Sequence, residues 1–431
     1  MKTKNYLKIL IITTIMLFSA QGITQSLKSP TKKYNLDRVI KKDKDTLMFN
    51  PKMLNLLFAD KIGTSFGSSN DLSLQKFYFG IDSDDKSIAL GFNIDSRGKE
   101  KLKKLKWIFS AALKLKAANN FATIFDGKGK FLNDNIGATY KASLIGRGTI
   151  NFNSNSDKKR KDAIVNNRKK LFEKYNVAAK KFNDESLSKF KKELSISKPF
   201  DADLGTLSEE LKEKHDTAYE ELAQEEIDYI LDNKMYHFMS NKWLSLEVYT
   251  PWGGITNYIT PDENTTYVKD RFYNISASLT GNYMRAYSSG QSVFLKLTAN
   301  IKNNNTILAN NVSAKTFQTF TTAANNNIIV KNEDVYVTTY EEFITSSVSF
   351  EPTYFFWSNV LGDFGISAEL EINFGKYNRT NWKFGVPISL KDKKGKPSIN
   401  FEFQYKSIKT LDKEVGVFGI SSNFMFGDLI N

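Results

Sequence analysis

The sequence predicts an all-β transmembrane barrel, antiparallel, of about twelve strands, with an inserted α-helical hairpin. Three observations carry that prediction. From about residue 72 the apolar residues recur at every second position, segment after segment, which is the period of a strand with one oily and one wet face. The wet face is rich in Lys, Arg, Glu, Asn and Ser, as a solvated lumen requires, and many segments reach the nine or so residues that a tilted strand needs to cross a bilayer. Past the N-terminus no apolar stretch is long enough for a transmembrane helix, and the mean hydropathy is −0.40.

The strands follow in order. A less regular segment at 72–81 comes first. In the second, Ile88, Leu90, Phe92 and Ile94 alternate with Ala89, Gly91, Asn93 and Asp95. The third sets Leu105, Trp107, Phe109, Ala111, Leu113 and Leu115 against Lys104, Lys106, Ser110, Lys114 and Lys116; the fourth sets Tyr140, Ala142, Leu144, Gly146, Ile150 and Phe152 against Lys141, Ser143, Arg147, Thr149 and Asn151. Segments near 243–250, 273–283, 293–301, 339–354, 364–374, 381–391, 399–405 and 415–427 complete the set, and Glu369 and Glu371 fall on the polar face of the ninth. A soluble sandwich would alternate too. Aromatics near segment ends (Trp107, Tyr140, Tyr283, Trp382, Tyr405) and the edge-free closure that such long strands demand favour the barrel.

On these segments the chain resembles Gram-negative outer-membrane β-barrel proteins, with the Lys-, Asn-, Ile- and Phe-rich flavour of Bacteroidetes. The resemblance covers roughly residues 72–431 and includes the aromatic-rich last strand Val415 to Phe426. Members of the class usually end on an aromatic residue, whereas this chain adds Gly427 to Asn431. No motif points to a specific functional family. The resemblance implies a porin-like place in the cell outer membrane, with membrane lipid as surroundings.

The N-terminus fits export. Lys2, Lys4 and Lys8 precede the apolar run Ile9 to Phe18, and the small residues Ala20 and Gly22 suit a cut after Gly22, so residues 1–22 read as a cleaved signal peptide. Residues 23–70 read as a periplasmic lead segment, whose apolar patch Met53 to Phe58 could form a small plug. Strands 1–4 then occupy 71–155, the hairpin 156–238 and strands 5–12 residues 239–431. There is no cysteine for a disulfide or a lipid anchor. The net charge of +14 reads as lumenal and surface lysine rather than as a nucleic-acid footprint.

Loop lengths set a sidedness. With an even strand number and both ends in the periplasm, the long irregular loops near 118–137, 252–270 and 302–338 all lie outside and the short ones inside. The segment 156–238 breaks the strand period. Leu171, Tyr175, Ala178 and Phe182 form a helical stripe, and Thr206-Leu207-Ser208-Glu209 reads as a capping box opening a second helix with Leu211, His215, Ala218, Leu222 and Tyr229. Residues 157–193 carry a net charge of +7 and residues 207–238 a net −7, so the two helices should pair. Parity makes the hairpin periplasmic, either a self-satisfied coil or an arm for a periplasmic protein partner.

Both histidines, His215 and His237, fall outside the barrel segments, which argues against the Ser/His and Asp/His chemistries of barrel enzymes. No metal cluster or nucleotide motif is present, so no enzyme, cofactor or metal site is expected. The candidate lumen-lining residues are Lys104, Lys106, Lys114, Lys116, Lys141 and Arg147 on one wall and Glu369 and Glu371 on the diametrically opposite one. Two uses follow. A transverse field could orient small polar or anionic solutes in a channel or transporter; alternatively, internal salt bridges could fill the lumen of a structural or interaction barrel.

Overall fold

The computed structural model describes residues 75–82, 87–96, 106–116, 136–146, 148–151, 158–196, 204–262, 266–310, 312–322, 328–358, 361–392, 397–409 and 414–428. The expected signal peptide and lead segment lie outside these. The described strands are β1 (Gln75–Asp82), β2 (Ser87–Asp95), β3 (Trp107–Lys116), β4 (Ile136–Ile145), β5 (Thr149–Asn151), β6 (Phe238–Pro251), β7 (Ile255–Thr260), β8 (Val268–Phe272), β9 (Ser276–Tyr287), β10 (Ser292–Asn305), β11 (Lys315–Thr322), β12 (Ile328–Val337), β13 (Glu342–Ser358), β14 (Gly362–Gly375), β15 (Thr380–Lys391), β16 (Pro397–Lys409) and β17 (Glu414–Asp428). Helices α1 (Lys158–Ile196) and α2 (Leu204–Asp232) separate β5 from β6, and α3 (Thr306–Asn310) follows β10.

Twelve of these strands close on themselves. Sequential antiparallel pairing runs β1-β2-β3-β4-β6-β9-β10-β13-β14-β15-β16-β17, and β17 returns to β1. Closure leaves no edge in this sheet. The strands are staggered: from Phe77, the residues opposite one another on successive strands are Phe92, Ala111, Tyr140, Val248, Ala277, Ile301, Ser346 and Phe374. That row starts near one end of β1 and finishes at the other end of β14, which is the tilt a barrel needs to close.

The row is also oily. Phe77, Phe92, Tyr140, Ile301 and Phe374 are all exposed, whereas inward neighbours such as Asn93, Ser143, Asn373 and Ser421 are buried. This inversion of the usual polar exterior identifies a wall facing hydrocarbon. Stacked Trp107 and Phe109, and Trp357 and Phe364, girdle the end that carries the barrel's own termini, where β1 begins and β17 finishes; Trp382, Tyr405 and Phe418 girdle the other. Phe364 and Phe374 bound the apolar run Ile366, Ala368, Leu370 and Ile372 on β14. At about 3.3 Å per residue and a tilt of about 40° they stand roughly 25 Å apart along the membrane normal, the height of such bands.

Three expectations need correction. The fourth strand is not continuous to 152: β4 and β5 pair with β6 in registers that differ by one residue, with Gly146 between them. A Cβ at Gly146 would overlap the Lys242 carbonyl, so the bulge needs glycine there. The bulge turns Thr149, expected on the polar face, to the outer side, where its hydroxyl lies 2.7 Å from that of Ser240. Second, the loops at 252–270 and 302–338 are not irregular. They hold β8-β7-β12-β11, a separate sheet in which β7 and β12 are parallel, at the end opposite the termini. Third, α2 starts at Leu204, so Thr206 is inside its first turn rather than capping it.

The helices pair through the stripe expected of them. Leu171, Tyr175 and Ile230 are buried, and Lys174 with Glu225 and Lys189 with Glu210 form ion pairs between α1 and α2. Lys214 adds a contact to Glu185 at 3.7 Å. At about 1.5 Å per residue α1 is nearly 60 Å long. The hairpin connects β5 to β6 at the end of the barrel where β1 begins and β17 finishes.

Candidate functional site

The inner face is where charge is concentrated, and strand alternation puts it there. On β13 to β16, positions between lipid-facing aromatics project inward: Glu351 beside Phe350, Lys383 between Trp382 and Phe384, Glu402 between Phe401 and Phe403. Lys383 Nζ lies 2.9 Å from Glu351 Oε1 and 3.6 Å from Glu369 Oε2 and from Glu402 Oε2. Lys296 on β10 reaches the other Glu351 oxygen at 3.2 Å. Ser367 donates to Glu402 Oε1, and a Cβ at Gly385 would overlap both groups. The glycine is thus the space in which that hydrogen bond forms.

One step nearer the end opposite the termini, Glu371 Oε2 accepts from Asn381 Nδ2 at 2.9 Å, and Asn381 Oδ1 accepts from the Lys409 amide at 2.9 Å. Lys302 and Lys406 are within electrostatic reach of Glu371. The acidic wall is therefore studded with lysine.

The opposite wall has a different texture. Lys114 on β3 is buried, with its ammonium 5.7 Å from the centroid of Tyr249. Lys141 on β4 faces Glu247 on β6 at 3.6 Å. Two tyrosine rings lie flat over glycines: a Cβ at Gly91 would collide with the Tyr78 ring, and one at Gly137 with the Tyr249 ring. Ser143 and Ser245 share a hydrogen bond at 2.8 Å. Further round, Trp243 and Asn282 are register partners, and Trp243 Nε1, both amide atoms of Asn282 and Asn241 Nδ2 are buried without a protein hydrogen-bond partner.

Towards the end that carries the termini the inner face turns apolar. Met239, Met284, Phe294 and Phe355, from β6, β9, β10 and β13, are almost completely buried, and the rings of Phe294 and Phe355 meet edge to face at 5.8 Å. This collar follows from the same alternation, with apolar residues at inward positions.

Of the residues singled out in the sequence, Lys114, Lys141, Glu369 and Glu371 belong to the inner wall. Lys106 does not: it precedes β3 at the rim and is exposed, because the strand begins one residue later. Lys116 ends β3, its side chain outside the described residues, as are Lys104 and Arg147. Sequence reasoning missed Glu351, Lys383, Glu402, Lys296 and Glu247 as site residues. The signal was available for Lys383, a single charge between Trp382 and Phe384. Among the described residues there is no cluster of His, Asp and Glu able to hold a metal ion.

No protein-family model matches this chain, and no curated protein matches it. Among solved structures it is similar to the NanC porin, at 5% identity and a TM-score of 0.27 over 81% of this chain and 98% of that one. It is also similar to the β domain of the Bordetella autotransporter BrkA, at 7% identity and a TM-score of 0.28 over 79% and 89% of the two chains. What makes the chain a barrel of the outer-membrane type is its own geometry: closure, an oily exterior and aromatic girdles at both ends.

Proposed function

We propose that the barrel is a narrow channel for small polar solutes, periplasmic at the end that carries its termini and hairpin. The observation that carries this reading is the inward polar patch at Asn241, Trp243 and Asn282, whose covered side-chain atoms have no protein hydrogen-bond partner and so call for water or a solute group. A solute stripped of water needs such replacement partners. Twelve strands also lie between the roughly eight whose interior side chains fill and the 16–18 that enclose a wide aqueous pore. The described inward lysines are closely matched by glutamates, which supports weak rather than strong charge selection. The Met239, Met284, Phe294 and Phe355 collar would gate by excluding water.

The test is single-channel recording of the purified full-length protein in a planar bilayer. Small conductance steps with weak ion selectivity are expected, and a membrane that stays silent at every voltage would overturn the proposal. Deleting residues 156–238 should leave the conductance intact; its disappearance together with a retained barrel would place the function in the hairpin.

A further inference from the structure

The outer face of β6 and β9 interrupts the hydrocarbon-facing pattern with paired cations. Leu244 and Leu246 on β6 and Leu279 on β9 are exposed to the bilayer, but continuing towards the end with the termini the same faces present Lys242 and Arg285. Lys242 is the register partner of Tyr283, and Arg285 that of Ser240, so the two cations are diagonal neighbours. Like charges so placed repel. Among the described residues no carboxylate pairs with either of them, in contrast to the lumen, where Lys141, Lys296 and Lys383 all have glutamate partners.

Arg285 is held for binding. Its Nε donates to the Tyr283 hydroxyl at 3.0 Å, and its guanidinium lies over the Phe238 ring, 4.4 Å from the centroid, with Tyr287 packed edge-on against Phe238 at 6.3 Å. The hydroxyls of Tyr283 and Tyr287 both hydrogen-bond the guanidinium, and the N–H groups they leave remain for a phosphate acceptor. The height is that of the girdle, where apolar strand gives way to headgroups.

We infer that Arg285 and Lys242 form a binding site for the phosphate of an anionic phospholipid in the leaflet at the end of the barrel that carries the termini. The phosphate supplies the counter-charge that the described protein lacks there, held by Arg285 and Lys242, while the acyl chains follow Leu244 and Leu246 down the wall. The site rests on the barrel spanning a bilayer and is independent of what crosses the lumen.

Native mass spectrometry of the detergent-folded, full-length protein tests it, with phosphatidylglycerol, zwitterionic phosphatidylcholine and lipid A as separate probes. Wild type should retain phosphatidylglycerol in preference to the other two, and Lys242→Gln/Arg285→Gln should lower its retention by about fivefold or more, while Arg379→Gln at the other end leaves it unchanged. Equal retention by the double variant, an equal loss in the Arg379 control, or a preference for lipid A would each overturn the inference. Should the double variant not fold, photoactivatable phosphatidylglycerol on wild type decides: cross-links at 238–242 and 283–287 support the site, and their absence there refutes it.

Discussion

Lys383 and Glu351 sit on strands that are not neighbours, β15 and β13, and meet at 2.9 Å across the intervening β14 with both side chains almost wholly buried. Each is tied further, Lys383 to Glu369 and Glu402, Glu351 to Lys296, so a single lysine serves three carboxylates. Lys383→Met should therefore strand the acids and cost about 3–5 kcal/mol, the usual penalty for breaking a buried pair. Lys383→Met with Glu351→Gln should recover part of that loss. Urea unfolding of the lipid-reconstituted barrel measures both, and additive losses would show the two residues to be uncoupled.

The glycines under tyrosine rings give a second expectation. Gly137→Ala must displace the Tyr249 ring and should destabilise by about 1–3 kcal/mol, as overpacked interiors do. Gly281→Ala, on the lipid side with nothing within 4 Å of the new Cβ, is the matched control and should be neutral or slightly stabilising. Thermal loss of the folded, slow-denaturing form compares the two variants directly.

How much of this was open to a reader of the sequence depended on local regularity. β14 was legible residue by residue, since Phe364, Ile366, Leu370 and Ile372 alternate with charged or small residues without a break. β13 was obscured because the register shifts between Phe355 and Trp357, which puts both Phe356 and Trp357 on the exposed side and hides the period that places Glu351 inward. The sheet of β7, β8, β11 and β12 left no signature: β7 and β8 are short, and the parallel pairing of β7 with β12 joins segments more than seventy residues apart. The same limit applied to the lumen. Alternation says that Lys383 points inward; which acids it meets depends on registers between strands distant in sequence.

Acid should loosen the hairpin. Hydrogen bonding and attraction from Lys189, with help from Lys214, hold the Glu210 carboxyl below the usual carboxylate range. A depressed folded value means the contribution is present above the unfolded pKa, about 4.3, and is lost as pH falls through the folded one. Spin labels at exposed positions 188 and 217 should report a stable interhelix distance at neutral pH that broadens on acidification. Glu210→Gln should be broad already at neutral pH, and a wild-type distance unchanged well below pH 3 would contradict the role given to this pair.

The collar predicts a change in conductance that is separate from stability. Phe294 and Phe355 are buried on the inner face near the end with the termini and pack edge to face, so on the proposed gating role truncating either should let water in. Phe355→Ala should raise single-channel conductance severalfold while Phe403→Ala, on the lipid face, leaves it unchanged. Equal conductance in both variants would place the constriction elsewhere in the lumen.

The end of α2 offers a purely backbone test. Lys234 adopts φ 49°, the left-handed region, and the Met235 amide reaches back to the Ile230 carbonyl at 2.9 Å, so the helix closes with the motif that favours glycine just past its last turn. A Cβ in that conformation costs about 1–2 kcal/mol, partly offset by the greater unfolded freedom of glycine. Lys234→Gly should thus stabilise the junction between hairpin and barrel by up to about 1 kcal/mol. Hydrogen exchange at the amides of residues 233 and 235 should slow by up to about fivefold, whereas Lys234→Val, β-branched and strained in this conformation, should speed it; the reverse order would mean that the lysine side chain, not the backbone, holds the turn.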